Sequence, residues 1–148
     1  MLVNKFLENS ASRLPQKTAV VFQNRRITYG EIDEKANRMA NAFLESGLKR
    51  GDRVSIFLDN SIESIISIFG VLKAGGVFST LSPSLKHKKL EYILNHSDSV
   101  FLVTCSDKQP EVLPAIENTP LIKYVILTGE EVNYDSAAGE RVIGFNSF

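Results

Sequence analysis

Asp52-Arg53-Val54-Ser55-Ile56-Phe57-Leu58, then Asn60-Ser61, an apolar run to Lys73, Gly75-Gly76 and Val77-Phe78-Ser79-Thr80-Leu81 form the stretch that decides the fold. Residues 54–58 are rich in branched and aromatic side chains, which pack well on a pleated surface and predict a strand. Asn60 stands where its side chain can accept an orphan helical N–H, so a helix is predicted over 61–73. Gly75-Gly76 ends that helix, and 77–81 reads as the next strand. Strand, helix and strand at this spacing predict a parallel pair joined by a crossover.

The same alternation continues on both sides. Downstream, a helix is predicted over 85–95 with Leu90, Ile93 and Leu94 on one side, then a strand over 100–104. A Pro-interrupted helix over 111–116 and a strand over 124–127 follow. Upstream, Val3, Phe6, Leu7 and Ala11 recur at helical spacing as far as Leu14-Pro15, which predicts a short amphipathic helix. Residues 18–22 and 26–29 flank a polar turn at Asn24-Arg25, where Asn tolerates a left-handed backbone, so a hairpin is predicted. Thr28-Tyr29-Gly30-Glu31 has the spacing of a capping box and should start a helix. Ile32, Ala36, Met39, Ala40, Phe43 and Leu44 form its apolar face, and Gly47 closes it.

The fold expected is therefore α/β, an amino-terminal helix and hairpin leading into a mostly parallel sheet with helices on both faces. Past Gly129 the chain turns polar and acidic without a sustained period. Residues 129–148 are expected to be a connector or tail within a single subdomain spanning 1–148.

Composition excludes several function classes. With 17 basic and 17 acidic residues the formal charge is zero, so no field draws a phosphate backbone or an anionic membrane surface, and nucleic acid is not expected as a partner. Cys105 is the only cysteine, which removes an internal disulfide and any multi-cysteine zinc site and favours a reducing cytoplasm. The start lacks the basic flank and long apolar run of a secretory signal. The longest apolar stretch, 62–72, is interrupted by Glu63, Ser64 and Ser67 and is far shorter than the roughly 20 residues a bilayer span requires.

In an open parallel sheet, ligands bind beyond the carboxyl ends of the strands. The loops there are Asp59-Asn60-Ser61, Ser82-Pro83-Ser84, Cys105-Ser106-Asp107 and Thr128-Gly129-Glu130, and none is glycine-rich. The glycines at 47–51 and 75–76 fall at the opposite end and read as helix stops. His87 and His96 could form an acid–base pair, but neither has an acidic neighbour in sequence, so both read as solvated surface. Lys86-His87-Lys88-Lys89 could hold a phosphate, yet cations at a helix start oppose its dipole, and a solvated face is the plainer reading. Cys105 stands where a nucleophile would, without a histidine nearby, and reads as a partly buried structural thiol. Asp59, Glu63, Asp98 and Asp107 match no metal-ligand spacing, and no metal is expected.

Four stretches, in order, resemble the adenylate-forming superfamily of acyl-CoA synthetases, nonribosomal peptide synthetase adenylation domains and luciferases. They are Ile27-Thr28-Tyr29-Gly30-Glu31-Ile32, Ala36-Asn37-Arg38-Met39-Ala40, Gly51-Asp52-Arg53-Val54-Ser55-Ile56 and Leu72-Lys73-Ala74-Gly75-Gly76-Val77-Phe78; Asp59-Asn60-Ser61-Ile62-Glu63 also fits. The resemblance runs from about Phe6 to Thr104 and implies an ATP-dependent ligase. Such an enzyme uses Mg, forms an acyl-AMP from a small carboxylate, and passes the acyl group to CoA or a carrier-protein thiol. The family's phosphate loop ending in Pro-Lys-Gly and its mobile carboxyl-terminal domain do not occur before Phe148. The chain is thus expected to be the amino-terminal subdomain of such a ligase, with no catalytic residue, no adenylation activity alone, and the rest of the ligase as its partner. In the acetate-activating branch an aromatic residue and two glycines approach the nucleotide end of CoA. Phe78, Ser79 and Thr80 are the matching positions, with both glycines replaced; the plain alternative is that Phe78 is a core residue of its strand.

Two other readings remain. One is a stand-alone, non-catalytic interaction module that keeps only the scaffold; the other, a dinucleotide-binding domain, lacks the Gly-x-Gly-x-x-Gly turn. An isolated subdomain is expected to self-associate through an open strand edge at 124–127 or the helix at 62–72.

Overall fold

The computed structural model describes residues 2–129 and 141–145. Helix α1 (Asn4–Arg13) and the hairpin β1 (Thr18–Phe22) and β2 (Arg25–Thr28) lead into α2 (Tyr29–Glu45). Then β3 (Arg53–Ile56), α3 (Ile62–Lys73), β4 (Val77–Thr80), α4 (His87–His96) and β5 (Ser99–Cys105) alternate. A 3-10 turn at Ser106–Lys108 opens α5 (Gln109–Ile116), and β6 (Tyr124–Thr128) and β7 (Val142–Phe145) complete the chain. The five strands β3–β7 form one parallel sheet in the order β4-β3-β5-β6-β7, and β1–β2 pair separately and antiparallel.

Strand alternation divides the core into two layers. Val54, Ile56, Phe101, Val103 and Ile126 face α1, α2 and α3. Phe57, Leu102, Val125 and Leu127 face α4 and α5. Helices α2 and α3 approach closely because Gly70 lies against Met39, where a β-carbon on Gly70 would stand 2.9 Å from Met39 Cβ.

On the first layer the starts of α2 and α3 carry reciprocal caps. Glu31 N–H donates to Thr28 Oγ1 (3.2 Å) while Thr28 N–H donates to Glu31 Oε2 (2.8 Å). At α3 the cap is Ser61, not the expected Asn60, because Ser61 and Ser64 exchange the same pair of bonds at 3.1 and 3.2 Å. Helix α4 begins at His87 rather than at 85, since Leu85 N–H turns back to Ser82 O (3.2 Å). In the hairpin the left-handed residue is Gln23 (φ 54°), not Asn24.

Three expectations about burial are overturned. Val3, Phe6 and Leu44 share the apolar spacing of their helices but are half or more exposed, because the stripes are wider than the surfaces that cover them. The polar tail was expected to hold no element, yet Val142–Phe145 adds a parallel strand beside β6. The edge expected to lie open at 124–127 is therefore covered. Arg141 secures that strand by donating to the carbonyls of Ile116 (3.2 Å), Thr119 (2.9 Å) and Ile122, an anchor with no local sequence signal. The rest of the expected connector, 130–140 and 146–148, lies outside the described residues.

Candidate functional site: the carboxyl end of the sheet

The chain leaves β3 toward one face through α3 and leaves β5 toward the other through α5, so the adjacent ends of β3 and β5 mark the point where the winding reverses. Open α/β sheets form their ligand crevice at such a point. Side-chain hydroxyls fix the strand ends there: Thr104 Oγ1 donates to Phe57 O (2.9 Å), and Thr128 Oγ1 donates to Thr104 O (3.3 Å).

Lys108 spans this crevice. Its ammonium lies 3.3 Å from Asp59 Oδ2, donates to Pro83 O at 3.0 Å, and sits 5.5 Å from the centre of the buried Phe57 ring. Three of the four carboxyl-end loops meet at this one side chain. Sequence reasoning named those loops but missed the lysine, whose only local signal is its place immediately after Cys105-Ser106-Asp107.

The two basic candidates resolve differently from expectation. His87 does have an acidic partner, supplied across the layer by Glu111 of α5: Nδ1 lies 3.5 Å from Glu111 Oε2, which also accepts the His87 backbone N–H at 2.7 Å. That backbone bond first, and Lys86 (3.3 Å) further, hold the Glu111 carboxyl below the usual carboxylate range. The first turn of α4 therefore already holds an anion of the protein itself. His96 stacks on Tyr92 with centroids 5.6 Å apart and takes no part in the same cluster.

Cys105 is half-buried, and burial pushes its thiol up, away from the reactive thiolate. Asp59, Glu63 and Asp98 are separately paired with Lys108, Arg25 (2.6 Å) and Arg53 (3.8 Å). Among the described residues no group of three or more His, Cys, Asp or Glu is placed to hold a metal ion. The described residues do not fit a triphosphate and its Mg, because the α3 start is closed by Ser61 and Ser64 and the α4 start by Glu111.

Phe78, Ser79 and Thr80 lie on β4, which among the described strands pairs with β3 alone. Phe78 is 37% exposed, as an edge strand is covered less than a central one. Beside them Val77 is 53% exposed. A second apolar surface is a groove of about 310 Å³ lined by Phe6, Val20, Tyr29, Ile65 and Phe69.

The AMP-binding enzyme family model matches residues 7–143. The chain belongs to that family. Tyrocidine synthase 2 of Brevibacillus parabrevis is 35% identical over 129 residues, covering 87% of this chain and 4% of that protein. The medium/long-chain-fatty-acid–CoA/3-oxocholest-4-en-26-oate–CoA ligase of Mycolicibacterium smegmatis is 31% identical over 137 residues, covering 89% of this chain and 24% of that enzyme. The chain thus spans a quarter or less of the length of these two relatives. Coronafacic acid ligase from Pectobacterium brasiliense aligns at a TM-score of 0.89 with 22% identity, over 99% of this chain and 29% of that one, a likeness of fold. This member of the AMP-binding family has the α/β fold of an amino-terminal ligase subdomain, a parallel sheet flanked by helices, as expected. None of its described helices is long and apolar enough to cross a membrane.

Proposed function

We propose that this chain is the amino-terminal part of an ATP-dependent, AMP-forming acyl-activating ligase. The whole enzyme would join a small carboxylate to AMP with release of pyrophosphate, then pass the acyl group to CoA or a carrier-protein thiol. The observation that carries this reading is the family match over 7–143, beside the similarity to a peptide synthetase and an acyl-CoA ligase. A cytoplasmic setting agrees with the lone thiol of Cys105.

In this reading the chain builds and holds; it does not react. The phosphate loop, the Mg site and the mobile domain belong to the remainder of the ligase, and ATP chemistry needs preorganised donors that these loops lack. Phe78, Ser79 and Thr80 present the exposed β4 edge to the nucleotide end of the acceptor, with side chains where closer backbone approach would need glycine. Val77 and the Phe6–Phe69 groove receive the rest of the enzyme, and in its absence promote self-association.

Two measurements test the reading. The coding sequence past Phe148 should supply a Gly/Ser/Thr-rich loop ending in Pro-Lys-Gly within a few dozen residues; its absence sinks the proposal. The purified 148-residue chain should give no carboxylate-dependent ATP–pyrophosphate exchange, and a chimera placing residues 7–143 in the mycobacterial ligase should give it. Exchange by the isolated chain would place the chemistry here instead.

A further inference from the structure

Lys108 holds a geometry that general loop packing does not require. Its side chain is 17% exposed, whereas its partner Asp59 is 70% exposed. An ion pair to so exposed a carboxylate would not by itself order a long flexible stem. The ammonium has three N–H donors, and it is drawn inward by the Pro83 carbonyl (3.0 Å) and the face of Phe57 (5.5 Å). Phe57 is fully buried and held by the Thr104 hydroxyl at its carbonyl, so this floor is rigid. A cation fixed to a rigid floor ties two loops that otherwise have separate covalent anchors, the one after β3 and the one after β4.

We infer that Lys108 is a positioning residue that clasps the β3–α3 and β4–α4 loops across the switch point of the sheet and so sets the exit of the Phe78-Ser79-Thr80 strand. Pro83 lies three residues beyond Thr80, and the Leu81 N–H between them donates to Ile56 O (2.9 Å), so the chain leaving β4 is held twice in succession, by a backbone bond at Leu81 and by Lys108 at Pro83. The positional half of the inference stands on these contacts. The functional half, that the clasp tunes acceptor binding, rests on the proposed reading of Phe78, Ser79 and Thr80.

Amide hydrogen exchange on the purified chain tests the first half. Lys108→Met should speed exchange at Leu85, which donates to Ser82 O, by about tenfold, the loss of one charge-assisted bond, and at Ser61, which donates to Ser64 Oγ, by about two- to threefold, the loss of an exposed ion pair. Gly76, at the other end of the sheet, should not change. Lys108→Arg keeps a cation and should recover most of the protection. Equal acceleration everywhere, or none at Leu85, overturns the clasp. Should Lys108→Met fail to fold, Asp59→Asn at its exposed site carries the test: Ser61 should loosen while Leu85, still tied through Pro83, should not, and the reverse order overturns it. For the second half, an active ligase carrying this segment with Lys108→Met should show a several-fold higher KM for CoA and an unchanged rate of pyrophosphate exchange. Loosened loops with an unchanged KM would overturn the acceptor-side reading and leave the clasp standing.

Discussion

Helices α2 and α3, on one face of the sheet, carry their own start signals, whereas α4 on the other face has none and takes Glu111 of α5 at its first turn. The first layer is also tied by a partly buried ion cluster: Lys73, with a 7% exposed side chain, reaches Asp33 (2.8 Å) and Glu8 (3.3 Å), joining α3 to α2 and α1. The second layer contains Pro114 inside α5 and relies on carbonyls capped from a distance by Arg141. The helix starts of α2 and α3 are fixed by near neighbours in sequence, that of α4 by a bond from another element. The loops that meet at Lys108 join the two layers.

The largest expected contrast comes from the cores. Phe43→Ala removes a fully buried ring set edge-on to Phe101 at 5.6 Å and should cost about 3–5 kcal/mol in urea unfolding. Leu94→Ala, the matching change in the second layer, should cost about 2–4 kcal/mol; a larger loss there than at Phe43 would break the contrast. Next, Gly70→Ala would force Met39 aside at the α2–α3 contact, and a loss of about 1–3 kcal/mol is expected by the same measurement.

Removing a cap sharpens the comparison further. Thr28→Ala should lower stability by about 1 kcal/mol, because the Glu31 amide loses its acceptor Thr28 Oγ1 while the residue 28 amide keeps Glu31 Oε2. Glu111→Gln should move global unfolding less and appear mainly as faster amide exchange in the first turn of α4. The smallest effect is acid-dependent. Lys5 first, then Asn4 and Lys73, hold the Glu8 carboxyl down from 4.5 to about 2. Its contribution is therefore complete above about 4.5 and lost as pH falls toward about 2. Glu8→Gln should lower stability near neutral pH by about 0.5–1 kcal/mol, the scale of a largely solvated pair, and leave it almost unchanged at about pH 2, so that the acid limb flattens.

Legibility followed the same division. The Thr28–Glu31 box, the left-handed Gly47 and Gly75, and the β3–α3–β4 unit could be read because each signal lies within a few residues of its effect. The strand at Val142–Phe145 could not, since four residues after a polar stretch carry no period, and only the open side of β6 gives them a partner. Of the candidate site, the loops were legible and their centre was not. Asp59, Pro83 and Lys108 are separated by more than twenty residues at each step, so no spacing rule joins them.

By itself, then, the sequence determined the α/β alternation, the capped start and glycine stop of α2 and the ordered motifs of the AMP-binding family, because caps, turns and apolar periods act over one or two helical turns. Tertiary structure alone decided which strands became edges, that Phe78 stands exposed while β6 is covered, that Glu111 serves His87, and that Lys108 closes the crevice. Strand order sets those outcomes: the crossover that returns the chain past β3 to β5 brings distant loops within a hydrogen bond of one another, and no local propensity encodes that distance.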